Sequence, residues 1–304
     1  MSFNYCIFDK TGYCSICKFK ISNYNDKLET IRECRPEATD MPLIRTFQGN
    51  PCFFKNIFEG QSIFYIGAGP SLKEVDLSFL SSRGILSFAV NNIAAWDNIK
   101  PNFWMCADET SQFHEVIWKD GSIWKFIPEH FSGKPFKLVD GKWSKYAKRL
   151  CPNTWTFTLN ENFKVAEFLT EDTVSFGCSK DKTDDIGISG SRSTMLAAIK
   201  IMFYLGFKNI FLLGCDFNME ENNPYIFPQK KHKAGVYTNN ECYQNLNKRY
   251  KALVPKLKGV GVTIHNCTKN SKLTAFPFLP VSEAIELSLK DFCTGEISLE
   301  NMYG

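Results

Sequence analysis

The chain has 304 residues, of which 44% are hydrophobic and 14% aromatic, and its formal net charge is +4. This length is sufficient for one large α/β domain with a small appendage, and the mild positive charge permits an anionic partner without demanding one. No run of about 18 apolar residues occurs, and the first residues lack the basic and apolar regions of a signal peptide. The sequence therefore predicts no membrane span and a cytoplasmic location.

The N-terminal segment is distinguished by its cysteines. The chain has twelve cysteines, and four of them follow a C-x7-C-x2-C-x16-C pattern: Cys6, Cys14, Cys17 and Cys34. In a reducing compartment, clustered cysteines more often bind metal than form disulfides, and four thiolates can hold one structural zinc ion. We predict a zinc-ribbon-like module with its connector at residues 1–50 and a nucleotide-binding catalytic domain at 51–304. The alternative is four unrelated thiols.

Residues 61–76 contain a strand followed by a glycine turn. The uninterrupted apolar run at 63–66 predicts a strand that is buried on both faces, and a helix is predicted at 73–82. A turn lies between them, formed by Gly67, Ala68, Gly69, Pro70 and Ser71. Unpaired N–H groups and the helix dipole favour anions at such a turn, so it is predicted to form the phosphate side of a nucleotide pocket. The alternative is a tight turn without a ligand, because neither G-x-G-x-x-G nor a P-loop is present.

Polar side chains follow the next two predicted strands, at 85–90 and 103–107. Asn91 and Asn92 end the first strand, and Asp108 follows the second. Ligands of open α/β sheets bind at the carboxyl ends of the strands, so the two amides can contact a base or sugar, and Asp108 can contact the nucleotide or a metal ion. Capping of the following helices explains these residues equally well.

The stretch from 119 to 185 carries weaker patterns. Strands are predicted at 123–127, 136–139 and 154–159, a helix at 162–169, and a mobile polar loop at 173–185.

A second helix start follows this loop. Its donors are Ser191, Arg192, Ser193 and Thr194, directly before a helix predicted at 195–205. The hydroxyl groups can bind phosphate or carboxylate with the arginine as a charged clamp, and ordinary N-capping is the alternative. Gly206 is expected to end the helix, and a strand at 209–213 leads to Asp216 at its carboxyl end. The pattern predicts a Rossmann-like α/β fold, with a mostly parallel sheet and helices on both faces.

Several of these segments together resemble the bacterial lipooligosaccharide sialyltransferases of the family 42 type. The run Y-I-G-A-G-P-S-L-K-E-V-D at 65–76 resembles their nucleotide-binding opening, and Asn91 or Asn92 matches their asparagine at the next strand end. The runs L-G-F-K-N-I at 205–210 and L-G-C-D-F at 213–217 match a second motif, and Y-I-F at 225–227 resembles the Tyr-x-Phe after it. The resemblance covers roughly residues 60–280 and leaves out the cysteine module.

The resemblance implies a Rossmann-like glycosyltransferase that uses a CMP-activated donor and no metal. The glycine turn would cradle the nucleotide, and Asn92 would contact the ribose or base. Ser193 and Thr194 would hold the donor, while Tyr225 would lie at the leaving phosphate. In this family tyrosines stabilise the departing phosphate and a histidine takes the proton of the acceptor.

The chain departs from the family at two positions. Asn218 stands in place of one tyrosine of the pair, and Tyr243 falls where the catalytic histidine is expected by ungapped counting. His232, in a lysine-rich stretch, is the first candidate for the general base, followed by Asp108 and Asp216. A solvated basic loop is the alternative for His232.

The same skeleton also resembles the 6-hydroxymethylpterin diphosphokinase-like proteins. They share the glycine turn, a segment like Pro101 to Asp108, and a closing segment like N-C-T at 266–268. That resemblance implies ATP and a pterin, with Mg²⁺ held by Asp108 and Asp216.

The sequence thus favours transfer of a sugar from a nucleotide-sugar donor of the CMP or UDP type. The acceptor is a hydroxyl group on a glycan, or on a modified base in nucleic acid. The alternatives are an ATP- and Mg²⁺-dependent diphosphokinase and a non-catalytic protein that binds nucleotides or nucleic acid.

Overall fold

The computed structural model describes residues 43–52, 54–96, 99–107, 115–138, 140–227 and 233–291. Most of the predicted cysteine module therefore lies outside the described residues. The same holds for the predicted zinc ligands and two candidates for the general base, namely Cys6, Cys14, Cys17, Cys34, Asp108 and His232.

A nine-stranded sheet forms the centre of the described chain. Numbered along the sequence and given in spatial order, its strands are β13 (Thr263–Asn266), β12 (Asn209–Leu213), β3 (Ser62–Ile66), β4 (Ser87–Val90), β5 (Phe103–Met105), β6 (Trp124–Pro128), β9 (Thr154–Phe157), β1 (Ile44–Arg45) and β2 (Pro51–Cys52). The first seven strands run parallel, and the last two add an antiparallel edge. The prediction of a large, mostly parallel α/β sheet is confirmed.

Two smaller pairings, five α-helices and four short 3₁₀ turns complete the described elements. The strands β7 (Pro135–Lys137) and β8 (Trp143–Ala147) form an antiparallel hairpin, while β10 (Leu159–Asn160) and β11 (Val174–Ser175) pair in parallel. The helices are α1 (Glu115–Lys119), α2 (Glu129–Ser132), α3 (Thr194–Leu205), α4 (Lys233–Gly259) and α5 (Val281–Asp291). None of these described helices combines the length and apolar character needed to traverse a bilayer.

Strand β3 shows why the sheet is buried on both faces. All five of its residues are buried, and successive side chains of a strand point to opposite faces. Ile63 and Tyr65 pack in a core with residues of α3 and α4. Phe64 and Ile66 pack on the other face with residues of α1 and α5. The strand predicted at 63–66 is confirmed, and helices cover both faces of the sheet.

Helix α3 begins and ends where its local chemistry predicts. The Ser193 hydroxyl accepts a hydrogen bond from the Met195 N–H at 3.2 Å, which caps the first turn. Gly206 ends the helix with φ +98°, a left-handed conformation that favours glycine. The helix predicted at 195–205 and its glycine end are confirmed.

The helix predicted at 73–82 is wrong. The chain instead forms two 3₁₀ turns, Pro70–Glu74 and Ser78–Ser81, with an extended residue, Val75, between them. The Asp76 carboxylate accepts a hydrogen bond from the Ser78 N–H at 3.0 Å. Such local side-chain bonds compete with the helix ladder and favour turns.

The helix predicted at 162–169 is also wrong, because the chain forms turns at 165–170. The N–H groups of Phe163 and Val165 donate to side chains of the next segment, Cys178 Sγ at 3.4 Å and Asp185 Oδ1 at 3.0 Å. These donors are therefore satisfied outside a helix. The segment predicted as a mobile loop, 173–185, contains β11 and these two bonding partners.

Candidate functional site

A cavity of about 280 Å³ opens at the carboxyl ends of β3 and β12. These strands are neighbours, and the chain order reverses between them, because β4 to β9 extend to one side of β3 while β12 and β13 lie on the other. Such a switch point leaves a crevice where open α/β sheets bind ligands. The cavity brings together ten of the predicted site residues: Gly67, Ala68, Gly69, Pro70, Asn91, Arg192, Ser193, Thr194, Asp216 and Tyr225.

The glycine turn is held tightly against the turn that follows β12. The Gly67 N–H donates to Leu213 O at 2.8 Å, and the Gly69 N–H donates to Gly214 O at 2.9 Å. A Cβ atom at position 69 would lie 1.7 Å from Asp216 Oδ2, and one at position 67 would lie 2.6 Å from Gly214 O. The close approach of the two turns therefore requires both glycines, and their two N–H groups are already paired.

The side chain of Asp216 forms hydrogen bonds with the start of the first 3₁₀ turn. Its Oδ2 accepts the Ser71 hydroxyl at 2.7 Å, and its Oδ1 accepts the Ser71 N–H at 3.3 Å. Burial raises the pKa of this carboxyl group above its usual range, while the bonds from Ser71 act in the opposite direction. The sequence predicted that Ser71 binds a phosphate, but in the structure Ser71 hydrogen-bonds the carboxylate of Asp216. Ser71 is not among the residues that line the cavity.

Asn91 lines the cavity and has a buried side-chain oxygen without a partner among the described residues. The residue has φ +53°, and its backbone carbonyl accepts the Trp104 indole N–H at 2.7 Å. Its Oδ1 is buried without a hydrogen-bond partner among the described residues. Buried polar atoms are normally paired, so this oxygen is suited to accept a hydrogen bond from a ligand. Of the two asparagines predicted at the end of β4, Asn91 lines the cavity and Asn92 does not.

The start of α3 forms the opposite wall. The Ser193 hydroxyl lies 3.3 Å from the Tyr250 hydroxyl and caps the helix. Arg192 forms an ion pair with Glu161 at 3.0 Å, and both side chains are about half exposed. Ser191 accepts a hydrogen bond from Asn245 at 3.1 Å and is not among the residues that line the cavity. Helix α3 has twelve residues, so its N-terminus and the guanidinium group together favour an anion at this wall.

Aromatic side chains complete the cavity, and Tyr225 is the one among them that was predicted as a site residue. Tyr65 comes from β3, and Phe217 packs on Tyr243 with ring centroids 4.9 Å apart. Tyr225 stacks on Phe227 at 5.4 Å. Burial raises the pKa of Tyr243 well above its usual value, which keeps the phenol protonated as a hydrogen-bond donor. Tyr243 and Asn218, the two positions where the chain departs from the sialyltransferase pattern, both line the cavity.

A buried ion pair fixes the loop that leads to α3. The Arg249 Nε on α4 donates to Asp184 Oδ2 at 2.6 Å, and both side chains are fully buried. The same guanidinium group donates to the carbonyl oxygens of Ile188 and Ser191. Helix α4 thereby holds the backbone at Ser191, two residues before Ser193, which caps α3.

Among the described residues, no group of three or more histidine, cysteine, aspartate or glutamate side chains is arranged to hold a metal ion. Comparisons with known proteins gave no relative, because no family model, curated protein or solved structure matches the chain.

Proposed function

We propose that the chain is a glycosyltransferase that binds the nucleotide part of a nucleotide-sugar donor, of the CMP or UDP type, in the cavity between β3 and β12. The observation that carries this proposal is that Asn91 lines a switch-point cavity and that its buried Oδ1 has no hydrogen-bond partner in the part of the chain that the structure describes. An exocyclic amino group of a base, or a ribose hydroxyl, would satisfy that acceptor. The volume of the cavity, about 280 Å³, lies just below the usual ligand-pocket range of about 300–1,000 Å³.

The phosphate would lie toward the start of α3 rather than on the glycine turn. Gly67 and Gly69 use their N–H groups within the protein, and Ser71 donates to Asp216. The wall formed by Arg192, Ser193 and Thr194 is the part of the cavity with a cationic side chain and a helix N-terminus. This arrangement supports a donor that bridges the cavity from Asn91 to α3.

The leaving phosphate would gain negative charge as the glycosidic bond breaks. Tyr225 and Tyr243 both line the cavity, and a protonated phenol can donate a hydrogen bond to that charge. This role agrees with the tyrosine function that the family resemblance implies.

Asp216 is the described residue best suited to accept the proton of the acceptor hydroxyl. It is a carboxylate at the cavity whose pKa is raised by burial, which brings it closer to the operating range of a general base. His232 remains a sequence prediction for the same role. The acceptor, a glycan or a modified base, would reach the donor from the mouth of the cavity.

The test is binding of free nucleotides to the full chain. A thermal-shift screen with CMP, UDP, GDP, ADP and ATP, each with and without Mg²⁺, should show stabilisation by CMP or UDP without a metal requirement. A ligand at 100 times its Kd adds about 2.7 kcal/mol of stability. Stabilisation by ATP with strict Mg²⁺ dependence would support the diphosphokinase alternative, and no shift with any nucleotide would contradict the proposal.

A pair of matched variants links the shift to the cavity. Asn91→Gly removes the unpartnered oxygen at a residue whose φ of +53° glycine adopts readily, and it should abolish most of the nucleotide shift. Asn56→Gly makes the same change at φ +60° on an exposed turn and should leave the shift unchanged.

A further inference from the structure

Exposed cations and aromatic rings lie along the β7–β8 hairpin and at the residues that flank it, and none of them lines the cavity. Between residues 134 and 150 the sequence has six basic residues and one acidic residue, Asp140. Five of the basic side chains are exposed, namely Lys134, Lys137, Lys142, Lys145 and Arg149. Two aromatic rings are exposed among them, Trp143 at 52% and Tyr146 at 67%. We refer to these seven side chains as the hairpin surface.

The hairpin is anchored from below, so its outer side chains are held in place. Phe136 is buried and stacks on Trp118 of α1, with ring centroids 5.9 Å apart. Lys148 is fully buried, and its ammonium group donates to Pro135 O at 2.7 Å. Phe136 and Lys148 are therefore buried, whereas the rings of Trp143 and Tyr146 are exposed to solvent.

We propose that the hairpin surface binds single-stranded nucleic acid, with phosphates on the lysines and bases stacked on the two rings. Aromatic side chains between cations are the combination that single-stranded nucleic acids require, because each nucleotide offers one charge and one π-face. From the turn into β8 the order along the chain is Lys142, Trp143, Ser144, Lys145, Tyr146, so each ring directly follows a lysine in sequence. The excess of positive charge is complementary to a polyanion.

The position of Lys137 favours a polynucleotide over an anionic membrane. Lys137 lies directly opposite Trp143 in the ladder, and its ammonium group is 6.0 Å from the centre of that ring. Insertion of Trp143 into a bilayer would draw this ammonium group out of water, which costs free energy. A base stacked on the indole leaves the same ammonium group free to meet a phosphate.

The experiment measures binding of a fluorescently labelled single-stranded oligonucleotide to the full chain by anisotropy, without any nucleotide sugar. The result is therefore independent of the glycosyltransferase proposal. Trp143→Ala and Tyr146→Ala should each weaken binding by about ten-fold. Tyr237→Ala removes a ring that is 73% exposed on α4, and it should leave the affinity unchanged.

The salt dependence tests the role of the lysines. The double variant Lys142→Gln/Lys145→Gln should reduce the slope of log K against log salt concentration by about 1.4, since each lost phosphate contact contributes about 0.7 for a single strand. Lys256→Gln/Lys258→Gln removes the same charge from the last turn of α4 and should not change the slope by that amount.

Three results would overturn the proposal. They are no binding of any oligonucleotide by the wild-type chain at 50 mM salt, equal affinities of the Trp143→Ala and Tyr237→Ala variants, and binding to phosphatidylserine vesicles in place of oligonucleotides. The substituted side chains are exposed, so each variant should keep the fold. Circular dichroism of each variant checks this.

Discussion

At the scale of single residues, Asp216 connects the two turns that form the cavity. The absence of a side chain at Gly69 is what allows this carboxylate to reach Ser71, since a Cβ atom at Gly69 would occupy nearly the same space as Asp216 Oδ2. The sequence predicted both glycines and Asp216 as site residues. It did not predict that they contact one another, because that contact depends on β12 lying beside β3.

The pKa of Asp216 leads to a prediction about pH and activity. Burial is the largest effect and raises the pKa, whereas the bonds from Ser71 lower it. If Asp216 is the general base, activity should fall as the pH drops through its raised pKa. Ser71→Ala removes the hydroxyl that favours the charged carboxylate, so it should move this acid limb of the kcat/KM profile to higher pH.

Asp216→Asn is the companion variant. It should lower kcat by about 10² or more and remove the acid limb, because the amide cannot accept the proton.

The same variant tests how the stability of the fold depends on the protonation of Asp216. The folded carboxyl binds its proton more tightly than the unfolded one, so wild-type stability should decline relative to Asp216→Asn as the pH rises through the interval between the two pKa values. A difference in unfolding free energy that stays constant with pH would contradict this assignment.

At the scale of elements, the strands were easier to predict than the helices. After one polar residue, strands β3 and β12 are continuous apolar runs, which is typical of strands that are buried on both faces of a sheet. Helix α4, with 27 residues, was missed although it carries a stripe of buried side chains at Leu246, Arg249, Tyr250, Leu253 and Leu257. An arginine in the stripe and Pro255 inside the helix obscured the apolar period, because neither residue is expected on a core face.

The arginine in that stripe has a testable structural role. Arg249→Met leaves the Asp184 carboxylate buried without its cation and should destabilise the fold by about 3–5 kcal/mol in urea unfolding. Lys164→Met breaks the exposed pair with Glu167 and should cost no more than about 1 kcal/mol.

A double-mutant cycle with Asp184→Ala separates the ion pair from the loss of packing. The double variant should be less destabilised than the sum of the two single variants, because the unpaired buried charge is then absent. Additive effects would show that Arg249 acts through its bonds to Ile188 and Ser191 instead.

At the scale of the whole molecule, the order of strands in the sheet creates the site. The sequence predicted site residues at the ends of strands and at the starts of helices, and the structure brings ten of the predicted site residues to one cavity. Tyr65 and Phe217 lie within the matched runs, and Tyr243 lies at the position expected for the catalytic histidine. None of the three was predicted as a site residue, because a strand residue, a turn residue and a mid-helix residue share no pattern that indicates a common site. Their proximity arises from long-range pairing of parallel strands, which no short motif encodes.

The cysteine pattern and the cavity lie in different parts of the chain, which leads to the last prediction. The cavity is lined by residues between 65 and 246, whereas the predicted zinc ligands lie between 6 and 34. The purified chain should contain about one zinc ion, which elemental analysis measures. Cys14→Ser/Cys17→Ser should remove the metal without changing the thermal shift caused by a nucleotide.

Cys151→Ser is the control that should keep the zinc, because burial raises the pKa of that thiol to about 11 and leaves little thiolate to bind metal at neutral pH. Retention of zinc by the double variant would contradict the ligand assignment, and loss of the nucleotide shift together with the metal would show that the cavity depends on the module.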